Sequence, residues 1–141
     1  MKQIDPSTYV SAQIDPDDMA SIAESGVKLI INNRPDGEDP GQPTSADVEA
    51  KAGEHGIAYR HIPMSASSLS LADIDNFADA LEQSEGQVLA YCRSGYRSAL
   101  LWALANVRTK TLEPIAAQES AAAAGHDLSS AMPVMNQLSE T

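Results

Sequence analysis

Short apolar runs alternate with helix-like segments along almost the whole chain, and this alternation limits the fold more than any other feature of the sequence. Helical spacing and capping residues such as Thr44 and Ser70 mark the segments between the apolar runs. Four runs have the length of strands: Thr8–Val10, Val27–Ile31, Ile57–Ile62 and Gln87–Tyr91. Strands that alternate with helices predict parallel pairing through right-handed crossovers. We therefore predict an α/β fold with a central, mostly parallel sheet of four to five strands flanked by helices.

Length, charge and hydropathy narrow the class of protein further. The 141 residues suit one domain, with a core over about 4–130 and a tail over 126–141 that docks or frays. Nine Lys and Arg against 20 Asp and Glu give a net charge of −11, which argues against nucleic acid and anionic membranes as partners. The chain has neither a long apolar run nor an apolar leader, so we expect a cytoplasmic protein.

The single cysteine, Cys92, lies directly after the last predicted strand and before a predicted helix. Ligands of parallel sheets bind outside the carboxyl ends of the strands, so a functional thiol is expected at this place. The amides of a helix N-terminus and the flanking Arg93 and Arg97 favour the thiolate, which is the nucleophilic form. One cysteine and three scattered histidines lack the spacing of metal ligands, so we predict no metal and no cofactor.

The residues after Cys92 have the composition of an anion-binding loop. Ser94 and Gly95 are small enough for successive amides to point inward. Arg97 carries a planar fork that matches an oxyanion, and Ser98 is expected to place its hydroxyl on the thiolate. The predicted catalytic residues are Cys92, Arg97 and Ser98, and the predicted anion-binding loop is Arg93, Ser94, Gly95 and Tyr96.

Polar residues also follow two other predicted strands. Arg34 either binds the substrate anion or pairs with Asp36 or Glu38. His61 either shuttles protons or has a structural role. Both residues stay candidates for the site, because their strands end at the same edge of the sheet as the strand before Cys92.

Two resemblances can be stated on these motifs. The segment Cys92–Ser98 resembles the active loop of single-domain rhodaneses, C-R-S-G-x-R-S. Over about residues 4–130 the chain resembles the phosphatase-like domain of beta-lactamase-hydrolase-like proteins, through Asn33–Glu38, Pro40–Pro43, His61–Pro63 and Leu89–Gly95. This resemblance implies a protein-tyrosine-phosphatase-like fold of the dual-specificity kind. Members are described as phosphatases or as sulfurtransferases, and some are fused to a metallo-hydrolase, which is therefore an expected partner.

The spacing of the loop departs from the phosphatase pattern. Four residues separate Cys92 from Arg97, whereas protein tyrosine phosphatases have five, and four is the length typical of rhodaneses. The segment that resembles the acid-bearing loop of phosphatases, residues 61–68, contains no carboxylate, although Asp36 or Asp39 could substitute. A thiolate leaving group depends less on such an acid.

We therefore expect a sulfurtransferase that carries a persulfide on Cys92 and takes thiosulfate or a persulfide as its small anionic substrate. One alternative is a phosphatase that hydrolyses a phosphate ester through a cysteinyl-phosphate. The other is a module that binds an anion or a phosphopeptide without turnover.

Overall fold

The computed structural model describes residues 1–65 and 68–141 of the chain. Its five strands are β1 (Lys2–Asp5), β2 (Thr8–Ser11), β3 (Val27–Asn32), β4 (Ala58–His61) and β5 (Gln87–Tyr91). Its six α-helices are α1 (Met19–Glu24), α2 (Ser45–Glu54), α3 (Leu71–Gln83), α4 (Tyr96–Arg108), α5 (Pro114–Ala123) and α6 (Met132–Ser139). Short 3-10 turns at Pro16–Asp18 and Ser129–Ala131 precede α1 and α6.

The strands form one sheet in the order β1-β2-β5-β3-β4, and only β1 runs antiparallel to its neighbour. The predicted α/β class with a mostly parallel, helix-flanked sheet is confirmed. Strand β5 is central, with β2 on one side and β3 on the other. Its carboxyl end therefore opens between the ends of two parallel neighbours, which is where the chain continues into Cys92.

Alternate residues of the central strands face opposite sides of the sheet, as the period of a β-strand requires. Leu29, Ile31 and Val88 pack with α3, α4, α5 and α6 around the buried Trp102. Ile30 and Leu89 face the other way, where they pack against apolar residues of α1 and α2. Both faces of the sheet are thus covered, which explains why β3 and β5 are almost continuously apolar.

Two parts of the structure lie beyond the sequence prediction. Strand β1 was not predicted, because its antiparallel pairing with β2 depends on a tight turn whose Ser7 donates to Asp5 Oδ1 at 2.8 Å. The tail forms α6, whose Met135 and Leu138 are buried in the core beside α4. Helix α4 begins at Tyr96, so Arg97 lies in its first turn.

The starts of α2 and α3 follow the predicted capping chemistry. The side chain of Thr44 accepts from the Asp47 amide, and Ser70 and Asp73 form a reciprocal capping box. No helix within residues 1–65 and 68–141 is both long enough and apolar enough to cross a membrane.

Candidate active site

The chain curls around the sulfur of Cys92 directly after β5. Cys92 is fully buried, and its Sγ accepts a hydrogen bond from the Gly95 amide at 3.1 Å. Two backbone hydrogen bonds connect the loop to the end of β2 and the residues after it. The Cys92 amide donates to Ser11 O, and the Gln13 amide donates to Arg93 O, each at 3.3 Å. The loop is therefore held in a shape that presents an amide to the sulfur, which stabilises a thiolate.

Only glycine suits position 95. Gly95 has φ +96°, and a Cβ at this position would lie 3.1 Å from Nε2 of His126 and 3.3 Å from the carbonyl carbon of Ser11. The rings of His126 and Tyr96 also meet edge to face, with centroids 6.4 Å apart. Sequence reasoning assigned His126 no function, yet its half-buried ring packs against the active loop, and burial lowers the pKa of this imidazole.

Arg97 is oriented by acceptors outside its own helix. Its Nη1 donates to Glu38 Oε2 and to the carbonyl of Met64, and its Nη2 donates to Glu38 Oε1, all at 2.8 Å. The hydrogen bonds to Glu38 are the largest cause that raises the pKa of Arg97. Burial opposes this effect. Glu38 and the Met64 carbonyl therefore fix the plane of the Arg97 guanidinium.

The contacts of Arg97 leave one edge of the guanidinium available. Of its five N–H donors, three are used by Glu38 and Met64. Within the described ranges, no hydrogen bond occupies the other two, which are the Nε donor and the second donor on Nη2. These two lie on the same edge of the planar group, and such an edge matches two oxygens of a tetrahedral anion.

Glu38 is the central carboxylate of the site. Besides Arg97 it accepts from Arg34 Nε at 2.9 Å. The hydrogen bond from Arg97 lowers the pKa of Glu38 from 4.5 to about 2, with Arg34 acting in the same direction and burial acting against both. The sequence analysis considered Glu38 only as a partner for Arg34. Its contact with Arg97 joins positions 59 residues apart, and no local pattern signals such a contact.

Arg34 is buried, and each of its three nitrogens has a protein acceptor. Its three nitrogens donate to Glu38, to Gln13 Oε1 at 2.9 Å, and to Asp39 Oδ2 at 2.6 Å. The structure thus shows the pairing alternative rather than a contact poised for substrate. Of the two predicted pairing partners the structure shows Glu38, whereas Asp36 Oδ1 accepts from the Ser45 amide at 2.8 Å at the start of α2.

Asp39 lies between two arginines. Its Oδ2 is 2.6 Å from Arg34 Nη2 and 3.2 Å from Arg93 Nε. The side chain of Arg93 is 67% exposed. Asp39 is thus held by two guanidinium groups, and Asp36 by the amide at the start of α2. The segment 61–68 resembles the acid-bearing loop of phosphatases but contains no carboxylate, and its positions 66 and 67 lie outside the described residues.

Three further predicted residues make contacts within the protein, and only the contact of Ser98 differs from the expected one. The hydroxyl of Ser98 donates to Asn33 Oδ1 at 2.8 Å instead of to the sulfur, since Asn33 is anchored to the Ile62 carbonyl at 2.9 Å. Ser94 Oγ accepts from the Tyr96 amide at 3.3 Å. A ring nitrogen of His61 lies 2.9 Å from Arg34 O, so this histidine holds the backbone of the buried arginine. Among the residues that the structure describes, no group of three His, Cys, Asp or Glu is arranged to hold a metal ion.

Known structures define the class of protein to which this fold and cysteine loop belong. Human DUSP28 superposes with a TM-score of 0.73 over 99% of this chain and 96% of its own, and at 19% identity the likeness shows the fold. A candidate phosphatase from Neisseria meningitidis superposes with a TM-score of 0.86 at 31% identity, over 97% of this chain and 96% of its own. The protein is an α/β protein with the fold of the protein tyrosine and dual-specificity phosphatases.

The family follows from the sequence match. The chain belongs to the phosphatase-like domain family of beta-lactamase hydrolase-like proteins, whose family model matches residues 1–109. A beta-lactamase hydrolase-like protein of Xylella fastidiosa is 41% identical over 98 residues. That match covers 70% of this chain but only 23% of the relative. The family expectation is confirmed. The phosphatase-like fold agrees with the phosphatase alternative, whereas none of these matches supports sulfur transfer.

Proposed function

We propose that this protein is a phosphatase that hydrolyses phosphate monoesters through a covalent intermediate on Cys92. One observation carries the proposal: the cysteine loop combines a buried sulfur that accepts an amide hydrogen bond with an arginine whose contacts leave two donors of one edge available. A thiolate and a pre-oriented bidentate donor are the two parts that transfer of a phosphoryl group to sulfur requires. The family match and the Neisseria meningitidis neighbour support the same activity.

The reaction has two displacement steps at phosphorus. The Cys92 thiolate donates an electron pair to phosphorus while the bond to the ester oxygen breaks, and that oxygen leaves with its electron pair. Water then attacks the cysteinyl-phosphate, so inorganic phosphate forms and the sulfur leaves as the thiolate. Arg97 and the loop amides stabilise the equatorial oxygens in both steps.

Protonation of the leaving-group oxygen determines which phosphate esters react fast. The carboxylate of Glu38 is paired with Arg34 and Arg97, which lower its pKa, and Asp39 contacts Arg34 and Arg93. General acid catalysis contributes roughly 10²–10⁴-fold where it operates. We therefore expect esters with acidic leaving groups, such as aryl phosphates, to react much faster than alkyl phosphates.

Sulfur transfer is the second candidate, because the four residues between Cys92 and Arg97 match the shorter rhodanese spacing. The partner metallo-hydrolase implied by the family resemblance stays a prediction, and none of the comparisons supports it.

Turnover and intact mass separate the two activities. The parent protein is assayed with 4-nitrophenyl phosphate and with thiosulfate, and Cys92→Ser is the matched variant that lacks the nucleophile. A rapidly quenched reaction should add about 80 Da for a phosphoryl group, whereas a persulfide adds about 32 Da. If only thiosulfate turns over and only the smaller adduct forms, the phosphatase proposal is wrong.

A further inference from the structure

The charged groups around the active loop form one chain of alternating sign. In order of contact it runs Arg97, Glu38, Arg34, Asp39, Arg93. The inner members are held by short contacts of 2.6–2.9 Å. Both end members are arginines of the cysteine loop itself. The two terminal cations of this chain are therefore the first and the fifth residue after Cys92.

The Arg93 end of this chain is loosely held. Its contact with Asp39 is an ion pair of 3.2 Å between two partly exposed side chains, and the same Asp39 oxygen already binds Arg34 at 2.6 Å. None of the five N–H groups of Arg93 donates a hydrogen bond to another residue in the described part of the chain. Exposed ion pairs contribute little, so Arg93 can exchange Asp39 for an anion of the ligand.

We propose that Arg93 is a second anion-binding position beside Cys92, which selects small phosphate monoesters that carry another anionic group. The proposal rests on the proposed function for its first anion, the phosphate bound at Arg97. A carboxylate or a second phosphate would both satisfy Arg93, because each offers charged oxygens to its planar fork.

The charge of the rest of the protein favours a small ligand over a macromolecule. Three of the five arginines in the chain, Arg34, Arg93 and Arg97, belong to this site, although the net charge is −11. An acidic phosphopeptide would be repelled by the surrounding surface, whereas a small dianion or trianion feels mainly the arginines within a Debye length of about 8 Å.

Binding of two phosphonates tests this position without turnover. Phenylphosphonate and 3-carboxyphenylphosphonate differ only in the second anionic group, and their affinities for the parent protein are measured by calorimetry. We expect the carboxylated compound to bind about tenfold more tightly. Arg93→Ala should remove this preference, and Arg93→Lys should keep part of it. Arg60→Ala is the matched control, because Arg60 pairs with Asp79 away from the loop, and it should keep the full preference.

Each outcome decides one question. Equal affinities in the parent, failure of both compounds to bind, or a preference that survives Arg93→Ala overturns the second position. Tighter binding of an acidic phosphotyrosine peptide than of 3-carboxyphenylphosphonate overturns the choice of a small ligand. Hydrolysis of phenyl phosphate is scored separately. A preference without turnover supports the position and contradicts the proposed function, whereas turnover without a preference does the reverse.

Discussion

Glu38 and Arg97 face each other through two parallel hydrogen bonds, in which both terminal nitrogens of the guanidinium donate to the two carboxylate oxygens at 2.8 Å. This contact joins the loop after β3 to the first turn of α4. Because it is bidentate, it fixes the plane of the guanidinium before any ligand binds. The carboxylate therefore acts on the anion site through the arginine.

Replacement of Arg97 by lysine tests whether two parallel donors of the guanidinium bind the anion. Lysine keeps the charge but offers neither two parallel donors to Glu38 nor a second edge to the anion. We expect Arg97→Lys to reduce kcat/KM for 4-nitrophenyl phosphate by about 100-fold. Arg108→Lys is the control, since Arg108 pairs with Asp75 on the surface, and it should retain parental activity. Parental activity in Arg97→Lys would contradict the proposed anion site.

Glu38→Gln should change how stability depends on pH. The pKa of Glu38 is lowered from 4.5 to about 2 in the folded protein, so its carboxylate stabilises the fold fully above about pH 4.5. That contribution declines below this value and is lost as the pH falls through about 2. We expect the parent to exceed Glu38→Gln by about 1 kcal/mol near neutral pH, after solvent screening is allowed for.

The measurement is urea unfolding followed by the fluorescence of Trp102, at several pH values between about 7 and about 2. Glu49→Gln, on the exposed face of α2, is the control and should show no such change. A difference between parent and Glu38→Gln that stays constant over this range would show that Glu38 is not held as an ion by the arginines.

Gly95→Ala should damage the site more than the fold. A left-handed alanine costs about 1–2 kcal/mol by itself. At position 95 the methyl group would also press on His126 and on the backbone of Ser11, which moves the amide that donates to Cys92. We expect kcat/KM to fall by more than about tenfold.

Gly26→Ala is the matched control for that variant. Gly26 has nearly the same φ, +94°, and nothing lies within 4 Å of the place where its Cβ would stand. We expect a similar loss of unfolding free energy with unchanged activity. Equal activity losses in the two glycine variants would show that the loop does not depend on close packing against His126.

Ser98→Ala tests whether the buried hydroxyl of Ser98 stabilises the fold or acts in catalysis. The variant leaves Asn33 Oδ1 without its donor, and an unsatisfied buried acceptor costs about 1–3 kcal/mol. We expect this loss in urea unfolding, together with a smaller decrease of activity than in Cys92→Ser. The exposed Ser130→Ala is the control for stability. An activity loss as complete as in Cys92→Ser, with unchanged stability, would restore the expectation that Ser98 serves the thiolate directly.

The sequence by itself determined most of the elements, although not β1 or α6, and the place of the nucleophile. Apolar runs such as Val27–Ile31 and caps such as Ser70 act over a few residues, so the alternation of strands and helices follows from local chemistry. The same holds for the cysteine loop, because a thiol between a buried strand and a helix must lie at the carboxyl edge of a parallel sheet.

Only the tertiary structure decided which charges meet around that loop. Asp36, Glu38 and Asp39 all lie close to Arg34 in the sequence. In the structure Arg34 donates to Glu38 and Asp39, whereas Asp36 accepts a hydrogen bond at the start of α2. The packing of His126 on Gly95 joins the end of α5 to the active loop. Such contacts depend on how distant segments pack. The residue types alone do not identify the partner, because a carboxylate or an imidazole can form hydrogen bonds with many different neighbours.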